Sequence, residues 1–104
     1  MVGSARQAEA SSAQTGVAAV YSHHGGRTAS GETSRPAGLT AAHRSLPFGT
    51  MVRVTNRKNG RSVTVRINDR GPFTRGRIID LTPAAAGQLG FSGLTPVSLD
   101  IVDR

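Results

Sequence analysis

The sequence predicts a small, mainly β domain, an antiparallel or mixed barrel of five or six short strands with one short helix. Three observations carry this. Two segments with strict period-two alternation flank an Asn-Gly step, one short stretch carries both a helix start and a helix stop, and no strand–helix–strand alternation runs through the chain.

In TMVRVT (50–55), Val52 and Val54 alternate with Met51, Arg53 and Thr55; in RSVTVRIN (61–68), Val63, Val65 and Ile67 alternate with Ser62, Thr64 and Arg66. Between them, Asn59-Gly60 accepts the positive φ of a hairpin turn. An earlier strand is predicted in GVAAVY (16–21), a later one in RIIDL (77–81), and a last one in PVSLDIV (96–102), with Val97, Leu99 and Ile101 on one face. Thr82 can cap a helix, Pro83 suits its first turn, Ala84 to Ala86 favour it, and Gly90 stops it. Residues 1–15 are rich in Ala, Ser and Gln and hold little apolar surface to bury. They predict a flexible leader or linker ahead of one folded domain at 16–104.

The chain has 104 residues, no cysteine and a net charge of +7, so disulfides, thiolate metal sites and a cysteine nucleophile are excluded. Thirteen basic residues face six acidic ones, which favours polyanionic partners, but Arg57-Lys58 is the only adjacent basic pair. With only Tyr21, Phe48, Phe73 and Phe91 as aromatics, a base-stacking platform is not expected, and nucleic acid is not the expected partner. No apolar run approaches the roughly 20 residues that span a bilayer, so no membrane insertion by this domain is expected. No charged-then-apolar export signal is visible.

Four segments stand out together: TASGE (28–32), LTAAHRSLPFGT (39–50), VRINDRGPF (65–73) and GRIIDL (76–81). In this order and spacing the chain resembles the rare lipoprotein A family, over roughly residues 16 to 102. The resemblance implies a six-stranded double-psi β-barrel and a lytic transglycosylase. Such an enzyme cleaves the bond between N-acetylmuramic acid and N-acetylglucosamine in peptidoglycan glycan strands and leaves 1,6-anhydro ends. It further implies work in the bacterial cell envelope, periplasmic or exported, by a monomer without cofactor. Wider relatives on the same barrel include expansins, some of which bind polysaccharide without cutting it. The family's catalytic acid falls on Asp69, its histidine on His43 and the glutamate of its TASGE segment on Glu32. The family's usual Trp-Tyr-Gly is here Val20-Tyr21-Ser22, which removes one sugar-stacking aromatic.

The chemistry asks for a proton on the leaving oxygen while positive charge develops at the anomeric carbon. The sugar's own 6-hydroxyl can be the nucleophile, so one carboxyl, first acid and then base, can suffice; Asp69 is the candidate. An Asp at neutral pH needs burial or a neighbouring carboxylate to hold its proton, and Arg66 and Arg70 would oppose this if they faced it. The central expectation is that Asp69 faces a sugar-sized trench beside the His43 imidazole, with Glu32 stabilising charge or holding a sugar hydroxyl. Tyr21, Thr28, Ser30 and Arg70 are the candidate substrate contacts. Bland readings stand beside these: Asp-Arg-Gly-Pro is a natural turn, a lone His is ordinarily structural, and a loop Glu is ordinarily solvated. Tyr21, Phe48 and Phe73 are mainly core candidates. Asp80, inside an apolar strand, is expected to close a barrel loop against Arg77 or backbone amides. His23, His24 and His43 show no recognisable metal-ligand spacing, so no metal site is expected.

Overall fold

The computed structural model describes residues 14–22 and 25–103. The leader expected at 1–15 lies almost wholly outside the described residues, as do His23 and His24. The elements in chain order are β1 (Gln14–Val20), β2 (Thr40–Ala42), β3 (Met51–Asn56), β4 (Ser62–Asp69), β5 (Arg77–Leu81), α1 (Pro83–Leu89) and β6 (Leu94–Asp103). The strands close into a barrel in the order β1-β5-β2-β4-β3-β6. Two ladders, β1–β5 and β2–β4, are parallel and the other four antiparallel, so the barrel is mixed.

The β3–β4 hairpin forms where alternation predicts it. Val52 pairs with Val65 and Val54 with Val63, and all four side chains are buried. Gly60 takes φ 78 and donates to the Asn56 carbonyl at 2.7 Å. Leu99 and Val97 of β6 complete one side of the core, with Ile67, Ile79 and Leu81 on the other. β1 begins at Gln14, ahead of the predicted start at Gly16, because the ladder to β6 runs on through Thr15↔Ser98 and Gln14↔Leu99. Backbone pairing asks for no apolar side chain there. Gly16 itself permits close approach, since a Cβ would meet Ile78 Cγ2 at 2.7 Å.

Helix α1 fills one opening of the barrel with Ala85 and Leu89, and burying a leucine contributes about 1.5–3 kcal/mol. Its ends match the sequence signals. Thr82 Oγ1 accepts from the Ala85 amide at 3.4 Å and donates to the Gly38 carbonyl at 2.6 Å, so one hydroxyl caps the helix and ties down a loop. Gly90 ends it at φ 79. The Leu89 carbonyl, left without a helical donor, accepts from Asn56 Nδ2 at 2.9 Å and Asn59 Nδ2 at 3.0 Å. Asn56 Oδ1 in turn accepts from Thr95 Oγ1 at 2.9 Å, so this buried amide joins hairpin, helix and β6.

Two aromatics expected in the core are on the surface: Phe48 is 42% and Phe73 77% exposed. Strands this short fill the interior with Val, Ile, Leu and Ala, which leaves little room for a phenyl ring. No helix among the described residues is long and apolar enough to cross a membrane.

Candidate active site

Asp69 ends β4, opposite Ala42 of β2. One carboxylate oxygen, Oδ1, accepts from the amides of Ala29 and Arg70, each at 2.8 Å. The other, Oδ2, accepts a short hydrogen bond from the Tyr21 hydroxyl. Tyr21 follows β1 and is fixed by its own amide, which donates to the Leu81 carbonyl at 2.7 Å. Burial, reinforced by the bond to Asp69 and its charge, pushes the Tyr21 pKa far above the ordinary phenol value, so this hydroxyl stays a donor. The Ser34 hydroxyl also hydrogen-bonds to Tyr21.

The 25–34 loop folds over the end of β4. An isolated bridge, Arg27↔Thr33, narrows the loop, and the Ser30 amide donates to the Asn68 carbonyl at 3.2 Å. Arg66 and Asn68, two residues apart on β4, both reach Glu32. Arg66 Nη1 donates to Oε2 at 2.6 Å and Asn68 Nδ2 to Oε1 at 2.8 Å. These bonds, Arg66 first, hold the Glu32 carboxyl below the usual range. Arg66 is therefore engaged with Glu32, which answers the concern that it would face Asp69. Thr28 and Ser30 serve the loop: their hydroxyls lie 2.9 Å apart, Thr28 Oγ1 donates to the Glu32 carbonyl, and Ser30 Oγ accepts from the Glu32 amide.

His43 meets Asp69 through the main chain alone, its amide donating to the Asp69 carbonyl at 3.1 Å. The imidazole, 4% exposed, turns elsewhere. Nδ1 accepts from the amides of Ser45 and Leu46 at 3.1 and 3.2 Å, which leaves the proton on Nε2, 3.2 Å from Gln14 Oε1. Burial first, then the charges of Arg44 and Arg70, lower its pKa. Arg70 is likewise committed to this loop. Its Nη1 donates to the carbonyls of His43 and Leu46 at 3.2 and 2.8 Å, and its guanidinium lies 4.1 Å from the Phe48 ring centroid, a cation–π stack.

The expectation of one trench shared by Glu32, His43 and Asp69 is therefore corrected. Glu32, Arg66 and Asn68 open onto a depression of about 590 Å³ that runs past Arg35, Leu39 and Met51. His43 lines a separate one of about 300 Å³ with Gln14, Thr15, Arg44, Ser45 and Ile78. The structure brings Tyr21 to Asp69 and ties Glu32 in beside them through Asn68, but it gives the imidazole to the 43–46 loop. Asp80 is a second correction. No backbone amide closes on it: Oδ1 is buried without a hydrogen-bond partner among the described residues, and Arg77 acts on it through charge alone. Among the described residues no three His, Asp or Glu side chains cluster as a metal site.

Residues 13–99 match the family described as lytic transglycolase. The chain belongs to that family. Within it, the probable endolytic peptidoglycan transglycosylase RlpA of Nostoc sp. is 58% identical over 95 residues, covering 86% of this chain and 26% of that protein. The endolytic peptidoglycan transglycosylase RlpA of Campylobacter jejuni is 50% identical over 91 residues, 84% of this chain and 33% of that protein. The chain thus spans about a quarter to a third of the length of these curated relatives. Among solved structures, the apo expansin of Clavibacter michiganensis superposes with a TM-score of 0.68 at 27% identity, covering 88% of this chain and 51% of that one. The resemblance to rare lipoprotein A drawn from four collinear motifs is borne out, and so is the double-psi barrel. For this lytic transglycolase domain, sequence reasoning missed the partners of its carboxylates. Arg66 and Asn68 stood in the same VRIND stretch as Asp69, a signal that could have been used. The Ala29 amide and the Ser34 hydroxyl left none.

Proposed function

We propose that this domain is a lytic transglycosylase. It cleaves the MurNAc–GlcNAc bond of peptidoglycan glycan strands in the bacterial cell envelope and leaves 1,6-anhydro-MurNAc ends. The observation that carries this reading is the Asp69 carboxylate at the end of β4, held by a phenol and two amides in a chain whose relatives bear that activity in their names.

Among the described residues three donors reach its two oxygens, which makes Asp69 an acceptor site. The initial expectation that Asp69 gives the first proton sits poorly with that set, whereas a base and charge stabiliser fits it. Asp69 faces the positive charge that grows at the anomeric carbon and takes the proton of the 6-hydroxyl as that oxygen closes on C1. Tyr21 and the Ala29 amide fix its direction, and preorganised groups of this kind lower the barrier because nothing reorients during reaction. Glu32 holds the 25–34 loop against Arg66 and Asn68 and offers its carboxylate to sugar hydroxyls along the adjoining depression. His43 is a positioning residue. It shapes the 43–46 loop and, through its amide, the Asp69 backbone.

The test is incubation of the chain with purified peptidoglycan and with glycan stripped of stem peptides, followed by mass spectrometry. Anhydro-muramyl ends that fall by about 10²–10⁴-fold in Asp69→Asn are expected. No release from either substrate between acidic and neutral pH would overturn the reading. The expansin likeness favours one alternative, a module that binds wall polysaccharide without cutting. Its signature is wall retention unchanged by Asp69→Asn, with no released sugar.

A further inference from the structure

Asp80 is the carboxyl group at this end of the barrel that the assignment above leaves unused. It lies in β5 between Ile79 and Leu81, both in the core, so its side chain leaves the sheet on the outer side. Across the β2–β5 ladder Asp80 pairs with Ala42, and across the β2–β4 ladder the same Ala42 pairs with Asp69. On its far side Asp80 pairs with Ala19 of β1. Asp80 and Asp69 thus flank Ala42, where the β2–β4 ladder shifts register, and the Tyr21 phenol interacts with both carboxyl groups. Two interstrand steps of about 4.8 Å put their Cα atoms about 10 Å apart. Tyr21, just past the end of β1, reaches both groups. It bonds to Asp69, and its phenol also feels the charge of Asp80.

The two carboxyl groups have opposite surroundings. Asp69 has a donor on each oxygen, two of them on Oδ1. Asp80 Oδ1 is sealed from water with no hydrogen-bond partner among the described residues. An ion there would be desolvated without compensation, so the neutral acid is favoured. Burial raises the Asp80 pKa, with Arg77 the opposing charge. Tyr21 is the other titratable group that interacts with it. Two acids within reach of one phenol, with environments that separate them in this way, carry a division of roles.

We infer that Asp80 is the proton donor for glycan cleavage and Asp69 the carboxylate that works opposite it. This inference rests on the glycan-cleavage reading. The Asp80 proton goes to the glycosidic oxygen as the C1–O bond breaks, and the bonding electron pair stays with that oxygen. The 6-hydroxyl oxygen bonds to C1, and its proton passes to Asp69. After product leaves, both carboxyl groups re-equilibrate with solvent. No water or co-reactant is consumed.

The decisive experiment pairs two readouts on the full chain. Carboxyl ¹³C titration is expected to show Asp80 losing its proton above the ordinary aspartate range. Asp80 titrating within or below the ordinary aspartate range would overturn the inference. In the release assay, Asp80→Asn is expected to lose at least about 100-fold while wall binding and thermal stability are kept. Asp80→Glu should recover part of the rate and move the alkaline limb of the pH profile, which a purely structural residue would not do. Wild-type release together with full activity in Asp80→Asn overturns the donor assignment alone. Absence of release by the wild-type chain overturns the glycan reading and the donor assignment together.

Discussion

Tyr21→Phe separates two roles that the phenol can play. The substitution keeps the ring and deletes only the hydroxyl that donates to Asp69 Oδ2, while both amides on Oδ1 remain. A hydrogen bond to a charged group contributes about 1.5–3 kcal/mol, and the half-buried setting argues for the lower part, about 1.5–2 kcal/mol. If that bond serves the transition state, the rate falls about 10- to 30-fold, since about 1.4 kcal/mol is tenfold. The loss should appear in kcat with little change in KM. If Tyr21 only stacked against a sugar ring, Phe would serve as well and the rate would stay. Steady-state release of anhydro-muramyl ends, followed by mass spectrometry, distinguishes them. Wild-type kcat in Tyr21→Phe, or a loss confined to KM, would refute the reasoning about Asp69.

Three further outcomes follow from the same contacts. Thr82→Ala removes both the helix cap and the bond to Gly38, a loss of about 1.5–2.5 kcal/mol, and thermal unfolding should drop by about 8–15 °C, with Thr82→Ser close to wild type. Gly90→Ala forces an L side chain into φ 79 and crowds Asn59 Nδ2 at 3.1 Å, so chemical denaturation should show a loss of about 1–2 kcal/mol, smaller for Gly90→Asn. His43 has its folded pKa lowered below that of the unfolded chain, so the unfolded chain takes up the extra proton first. The imidazole's contribution is whole above about pH 6.5 and is lost as pH falls below that toward the folded value. The melting temperature of the wild type should therefore fall more steeply between about pH 7 and 5 than that of His43→Gln. Parallel curves would contradict it.

The legible parts of the fold were those whose signal is local. The hairpin showed because Val52, Val54, Val63 and Val65 alternate on either side of Asn59-Gly60, and the helix showed because Thr82, Pro83 and Gly90 are adjacent to what they cap. β2 did not show, for three residues, Thr40 to Ala42, hold no period, and their strand conformation comes from β4 and β5 on either side. Closure is equally non-local, since β6 must pair with both β1 and β3. At the site, motif order pointed to Asp69, Glu32 and His43, but the destination of each side chain depended on distant partners. The imidazole goes to Gln14, twenty-nine positions earlier, and the two aromatics read as core are excluded by short aliphatic strands that already fill the barrel. Asp80 read as structural because an acid in an apolar strand ordinarily finds a donor. Only the packed barrel shows that its Oδ1 has none among the described residues.

The most direct test of where the glycan sits is amide chemical-shift mapping of Asp69→Asn, whose turnover is expected to be about 10²–10⁴-fold slower, titrated with peptide-free glycan oligomers. The largest shifts are expected at Tyr21, Ala29 and Arg70, the backbone that surrounds residue 69. Shifts confined to the far end of β6 around Ile101 and Val102, or an unchanged spectrum at saturating glycan, would contradict it.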